Sequence, residues 1–156
     1  MSTGNTLPPN AVEAEKALLG AILHSPGAID GVRHIIEPDD FFEEVNGWLY
    51  GAMCTRRDAG EHIDIRLVMT VLGNRDLGGV TVGQYLARLG AEATTIVNAP
   101  HYAKAVREAS RMRRLLGTAT AAQAAMSTGA VTDPSGYAAQ MIEDLDDLAS
   151  GGLAEH

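Results

Sequence analysis

The stretch AKAVREASRMRRLLGTATAAQAAM, residues 103–126, decides the fold of this chain. One helical pattern runs through it from Asn98 to about Thr128, which at 1.5 Å per residue spans roughly 45 Å. Ala105, Ala109, Met112, Leu116, Ala119 and Met126 recur along it at coiled-coil-like spacing, and the small residues among them permit close approach of a second helix. Thr132-Asp133-Pro134 is a restart signal with proline in the first turn, and Tyr137, Met141, Leu145 and Leu148 supply a matching stripe beyond it. Residues 94–149 are therefore expected to form an antiparallel helical hairpin, followed by a frayed tail at 150–156.

The same stretch holds five of the chain's 12 Lys and Arg residues. Lys104, Arg107, Arg111 and Arg114 follow one another at spacings of three, four and three, so they share a helix face from which Arg113 is turned away. Like charges so placed cost roughly a few tenths of a kcal/mol per pair in an isolated helix, which calls for a compensating partner. Residues 100–116 carry five basic and one acidic side chain, a charge of +4, whereas 133–149 carry five acidic and no basic ones, −5. Three partners satisfy the stripe on charge alone: the acidic return arm, nucleic-acid phosphate, or an acidic surface on another protein or a second copy. A hairpin turning near residue 130 sets 143–147 opposite roughly 113–117, within reach of Arg113 and Arg114 more than of Lys104 or Arg107. The small number of charges, without interleaved aromatics and in a chain of pI near 5.0, makes a modest nucleic-acid footprint.

Upstream the helical patterns are shorter. Asn10 with Glu13 reads as a capping box for a helix carrying Val12, Leu18, Leu19, Ile22 and Leu23, stopped by Pro26-Gly27. Ile29, Val32 and Ile36 predict a second helix closed by Pro38; Val45, Trp48, Leu49, Ala52, Met53 and Arg56 predict a third, longer one that Gly60 stops. Asp64 is placed to cap a fourth, with Leu67, Val68, Val71 and Leu72 on one face before Gly73. Thr81 and Gln84 form a second capping-box pattern ahead of Val82, Tyr85, Leu86 and Leu89. The expected fold class is all-α: a flexible tail at 1–9, a compact multi-helix head at 10–93 and the long antiparallel hairpin.

The remaining composition narrows the function. An apolar fraction of 46% with 21% charged residues suits a globular chain able to bury a core. The single Cys54 excludes an intramolecular disulfide and reads as a buried thiol. MSTGNTLPPN has neither a basic n-region nor an apolar run, and no segment approaches a membrane span, so a cytoplasmic location without membrane contact is expected. There is no GxxxxGK[ST] loop, no GxGxxG after a strand, no HExxH and no Cys/His ligand set, so neither a catalytic nor a cofactor or metal site is expected in this chain. His24 and His34 read as helix-end or surface residues. The acidic pairs Asp39-Asp40 and Glu43-Glu44 read as solvated turns, with charges that suit helix N-termini.

Six segments in order carry a family resemblance. They are PPNAVEAEKALLGAIL (8–23), DDFFEE (39–44), NGWLYGAM (46–53), IDIRLV (63–68), GGVTVGQYLARL (78–89) and NAPHYAKAVREASRMRRLL (98–116). Together they resemble the N-terminal domain of bacterial replicative DNA helicases of the DnaB type, over about residues 8–148. The resemblance implies a non-catalytic collar that mediates oligomerisation and docks the C-terminal domain of primase during DNA replication. It implies self-association as a dimer, trimer of dimers or hexamer collar, with ATP and Mg needed only by a motor domain not present here and DNA contacted through the full helicase. By the same resemblance, Ala105, Ala109, Met112 and Leu116, with Met141 and Leu145 opposite, would hold the hairpin and its dimer mate, and Lys104, Arg107, Arg111 and Arg114 would be available to partners. The alternative is a stand-alone phage or plasmid helicase regulator, or an origin DNA-binding factor.

Overall fold

The computed structural model describes residues 7–73, 77, 79–81, 84, 85, 87–89 and 98–150. These residues are helix, turn and loop with no strand, in the order α1 (Val12–His24), a 3-10 turn (Pro26–Gly31), a second one (Pro38–Asp40), α2 (Glu44–Asp58), α3 (Ile65–Leu72), α4 (Ala99–Ser127) and α5 (Pro134–Ser150). The chain divides into two compact units, Asn10–Ala109 and a second formed by Ser110–His156 with the N-terminal stretch through Pro9. The division falls inside α4, after the expected head boundary at residue 93, because the first turns of that helix are part of the head's core.

That core follows from the apolar stripes. Leu18, Leu19 and Ile22 of α1, Leu49, Tyr50 and Met53 of α2, and Leu67, Val68 and Leu72 of α3 are all buried in one cluster. Ala99, Ala103 and Val106 complete it from α4, where small residues let the long helix lie close. Phe41 and Tyr50 pack with ring centroids 5.1 Å apart, and burial pushes the Tyr50 hydroxyl far above its ordinary pKa.

The helix ends show where local signals held. Asp64 accepts from the backbone N–H of Arg66 at 2.9 Å and of Leu67 at 3.3 Å, capping α3. Thr81 and Gln84 bond reciprocally, each backbone N–H to the other's side chain at 3.0 Å. Tyr85 and Leu89 beyond them are buried, while Val82 and Leu86 of the same pattern lie outside the described residues. Gly60 (φ +72°) ends α2 with Glu61 N–H bonded to the Arg56 carbonyl, and Gly129 (φ +71°) ends α4 with Ala130 N–H bonded to the Ala125 carbonyl. Both are left-handed caps of the kind glycine adopts without steric penalty.

Four expectations are corrected. The N-cap of α1 is Ala11, without a side-chain bond; Asn10 Oδ1 stands 3.5 Å from Val12 N, and Glu13 reaches Lys16 instead of closing a box. The expected helix over Ile29–Ile36 is a 3-10 turn continued by i+3 and i+4 bonds from Val32, Arg33, Ile35 and Ile36. Pro26 and Pro38 leave too few residues between them for a regular helix, since Glu37 before Pro38 is held extended. Its Ile29, Val32 and Ile36 are buried nonetheless. Asp40 is buried rather than solvated, its carboxylate accepting from Glu37 N–H at 2.8 Å. Cys54 is only half-buried, its thiol pKa raised chiefly by that partial burial.

Candidate functional site

The hairpin is built from the second half of α4 and all of α5. Asp133 opens α5: its carbonyl accepts the first helical bond, from Tyr137 N–H at 3.0 Å, and its carboxylate lies where a Cβ on Gly136 would be. Pro134 follows it in the first turn, as the restart signal predicts. A groove of about 420 Å³ runs between the arms. Arg114, Gly117, Thr118 and Ala121 line it from α4, and Asp144, Met141, Gln140 and Tyr137 from α5, an antiparallel register centred on Gly129. Gln140 Nε2 donates to Asp144 Oδ1 at 3.1 Å along the acidic arm.

Several large apolar residues outside this groove are exposed. Met112 is 57% exposed, Leu115 50%, Leu116 48% and Ile142 68%, and α5 has no buried residue among those described. Met141 and Leu145 are half-buried. On the other side of the unit boundary, Ala109 is buried and Ala105 half-buried. Met112 and Leu116 thus lie on a different face of α4 from the one lining the groove. From residue 115 to 142 the sequence has one charged side chain, Asp133, so the exposed apolar groups sit on a long stretch with little charge. Exposed apolar groups grouped in this way, as Met112, Leu115 and Leu116 are on α4, are characteristic of surfaces that meet another molecule.

The basic stripe divides between the two units. Lys104 and Arg107 belong to the first, Arg111 and Arg114 to the second, where Arg114 and Asp144 line the same groove. Lys104 and Arg114 are exposed, Arg107 and Arg111 half-buried. Arg113, off the stripe, donates from Nη1 to the Pro9 carbonyl at 2.9 Å, a contact within its own unit.

The head contains a polar centre that the sequence reading missed. Glu15 is buried, and its two oxygens accept from Phe42 N–H at 2.6 Å, Glu43 N–H at 3.3 Å and Asn46 Nδ2 at 2.8 Å. A carboxylate from α1 therefore satisfies amides at the N-terminus of α2, where the helix dipole favours negative charge. A signal was present: Glu15 falls on the stripe of Leu18, Leu19 and Ile22, and a charge on an apolar face must find partners. At the opposite, C-terminal end of α2, Arg33 binds Asp58 in bidentate fashion at 2.5 and 3.0 Å, and Arg57 binds Asp30 at 3.1 and 2.6 Å. These hydrogen bonds hold both aspartates below their ordinary pKa.

A family model, the DnaB-like helicase N terminal domain, matches residues 7–108. The chain belongs to this family. Among DnaB-type relatives, the replicative DNA helicase DnaC of Bacillus subtilis is 40% identical over 118 residues, 73% of this chain and 25% of that protein. The replicative DNA helicase DnaB of Geobacillus stearothermophilus is 36% identical over the same length. The chain spans about a quarter of the length of these curated relatives. The N-terminal domain of Mycobacterium tuberculosis DnaB helicase superposes with a TM-score of 0.78 at 29% identity, covering 90% of this chain and 99% of that one. The corresponding domain from Helicobacter pylori shares the fold, with a TM-score of 0.61 at 19% identity over 74% of this chain and 90% of that one. The all-helical architecture is thus that of DnaB N-terminal domains, and no described helix is long and apolar enough to cross a membrane.

Proposed function

We propose that this chain acts as a non-catalytic collar module of a replicative DNA helicase, associating with copies of itself through the hairpin and docking primase. The carrying observation is that Met112, Leu115 and Leu116 on α4 and Ile142 on α5 are exposed, and that no described residue of α5 is fully buried. An amphipathic helix gains most of its stability by covering its apolar stripe, and a second hairpin has the complementary stripe by symmetry. Membership of the DnaB-like family and the helicase relatives support this reading, and the Helicobacter pylori domain of the same fold is one that interacts with primase. The module's role is organisational. It sets subunit symmetry and raises the local concentration of primase beside the helicase, while ATP-driven unwinding, with its Mg, belongs to a motor domain. Such a collar works in the cytoplasm, where bacterial chromosomes replicate.

Light scattering tests the association. The chain is expected to be a dimer or larger, and Met112→Asp to convert it to a monomer with an unchanged helical circular-dichroism spectrum. Adding primase C-terminal domain should give a heavier species with wild type. A strict monomer that ignores primase, or a dimer that survives Met112→Asp, contradicts the proposal.

A further inference from the structure

Two buried polar atoms in the head, Asn46 Oδ1 and the Tyr85 hydroxyl, find no hydrogen-bond partner among the described residues, and both residues line the same cavity. The cavity, about 430 Å³, is bounded by Lys16 of α1, the first turns of α2 and the segment bearing Tyr85. Asn46 is 0% exposed and Tyr85 6%. The orientation of the Asn46 amide is set by Glu15: a carboxylate takes only donors, so Nδ2 faces it and the amide oxygen is the atom left over, an acceptor. Burial and then the negative charges of Glu15 and Glu43 raise the Tyr85 pKa, which places its hydroxyl in a negative potential. Glu43 and Glu44 add carboxylates to the lining, and Trp48 with Val45 and Val80 supplies apolar wall. Two cations, Lys16 and the exposed Arg88, also line it; Lys16 is engaged by Glu13 at 3.4 Å, which leaves Glu43 and Glu44 against Arg88 alone.

We propose that this cavity receives an arginine side chain presented by a partner protein. A guanidinium offers five donors in a planar fork and no acceptor, which answers an orphaned acceptor, a hydroxyl and flanking carboxylates together. The indole of Trp48 suits its flat face, and the aliphatic wall suits its methylene stem. A lysine ammonium lacks the planar fork and fills less of the space. Both orphaned atoms are closed off from bulk water in this state, so a guest gains them only when the wall yields, which lowers the apparent affinity of a single residue. The cavity lies wholly within the Asn10–Ala109 unit and does not depend on the hairpin association.

Trp48 is the sole tryptophan, so its fluorescence reports the wall directly. Titrating the whole chain with N-acetylarginine amide is expected to give a saturable change, and the uncharged isostere N-acetylcitrulline amide to bind at least about tenfold more weakly. Tyr85→Phe, which removes only an unpartnered hydroxyl, should weaken arginine amide several-fold while leaving the unfolding midpoint unchanged or higher. Met112→Asp should leave the titration as it is, which separates this site from the hairpin. A linear response would mean that solvent fills the cavity and would overturn the proposal. So would equal binding of N-acetylleucine or N-acetylcitrulline amide, or Tyr85→Phe without effect on binding. Tighter binding of free arginine than of its capped amide would replace the protein partner with a metabolite.

Discussion

The head and the hairpin are both made of amphipathic helices, yet only one of them is complete within the chain. In the head, Leu18, Leu19, Ile22, Leu49 and Met53 are all buried, and its charges are answered nearby: Glu15 by three donors, Arg33 by Asp58 and Arg57 by Asp30. In the hairpin, apolar groups of the same size stay in solvent, and the residues of α5 are exposed or half-buried. An identical sequence pattern thus yields a core in one region and an uncovered face in the other. What differs is the number of stripes available. The head brings four helices and a turn to one point, while two arms facing each other across a groove cover only their inner sides.

This contrast is open to direct attack. Leu49→Ala should cost about 3 kcal/mol of head stability in denaturant unfolding, as expected for a large core side chain, whereas Met112→Asp on the same curve should move it by less than about 0.5 kcal/mol while removing self-association. Equal destabilisation by both would erase the distinction between a complete and an incomplete unit. Glu15→Gln should cost about 2 kcal/mol, because it removes a charge-assisted acceptor and points an amide donor at backbone N–H groups that then lack a partner. A variant as stable as wild type would show that the polar centre contributes little to the head.

The two glycine caps sharpen the comparison with one chemical change in two settings. Gly60→Ala should lower head stability by about 1 kcal/mol, since alanine is strained at positive φ. Gly129→Ala should leave the main unfolding transition in place and instead raise amide exchange at the hairpin tip. A shared loss of cooperativity would mean that head and hairpin unfold as one. The smallest effect concerns pH. Asp30 and Asp58 have folded pKa values below their unfolded ones, so their contribution is present above the unfolded value of about 3.9 and is lost as pH falls through the lower folded values. Head stability should therefore decline below about pH 4, and Asp30→Asn with Asp58→Asn should flatten that decline, though only partly because these pairs are exposed.

Much of the architecture was legible because its signals are local. The caps at Asp64 and at Thr81 with Gln84, the stop at Gly60 and the restart at Asp133-Pro134 each involve residues within a few positions of one another, and each appears where the pattern predicted it. The segment between Pro26 and Pro38 misled because Ile29, Val32 and Ile36 have helical spacing that a 3-10 turn also buries. Asp40 misled because paired carboxylates usually face solvent, and its acceptor role depends on how Pro38 turns the chain.

The sequence by itself determined the all-helical class, the long α4 with its returning α5 and the segregation of charge between them, since periodicity and caps act over three or four residues. Only the tertiary structure decided which side chains those helices bring together. Glu15 meets its donors across 27, 28 and 31 residues of chain. Likewise, the separation of Met112 and Leu116 from the groove face of α4 depends on the angle at which α5 returns. Neither is encoded in a local spacing, because both arise from how several helices share one volume.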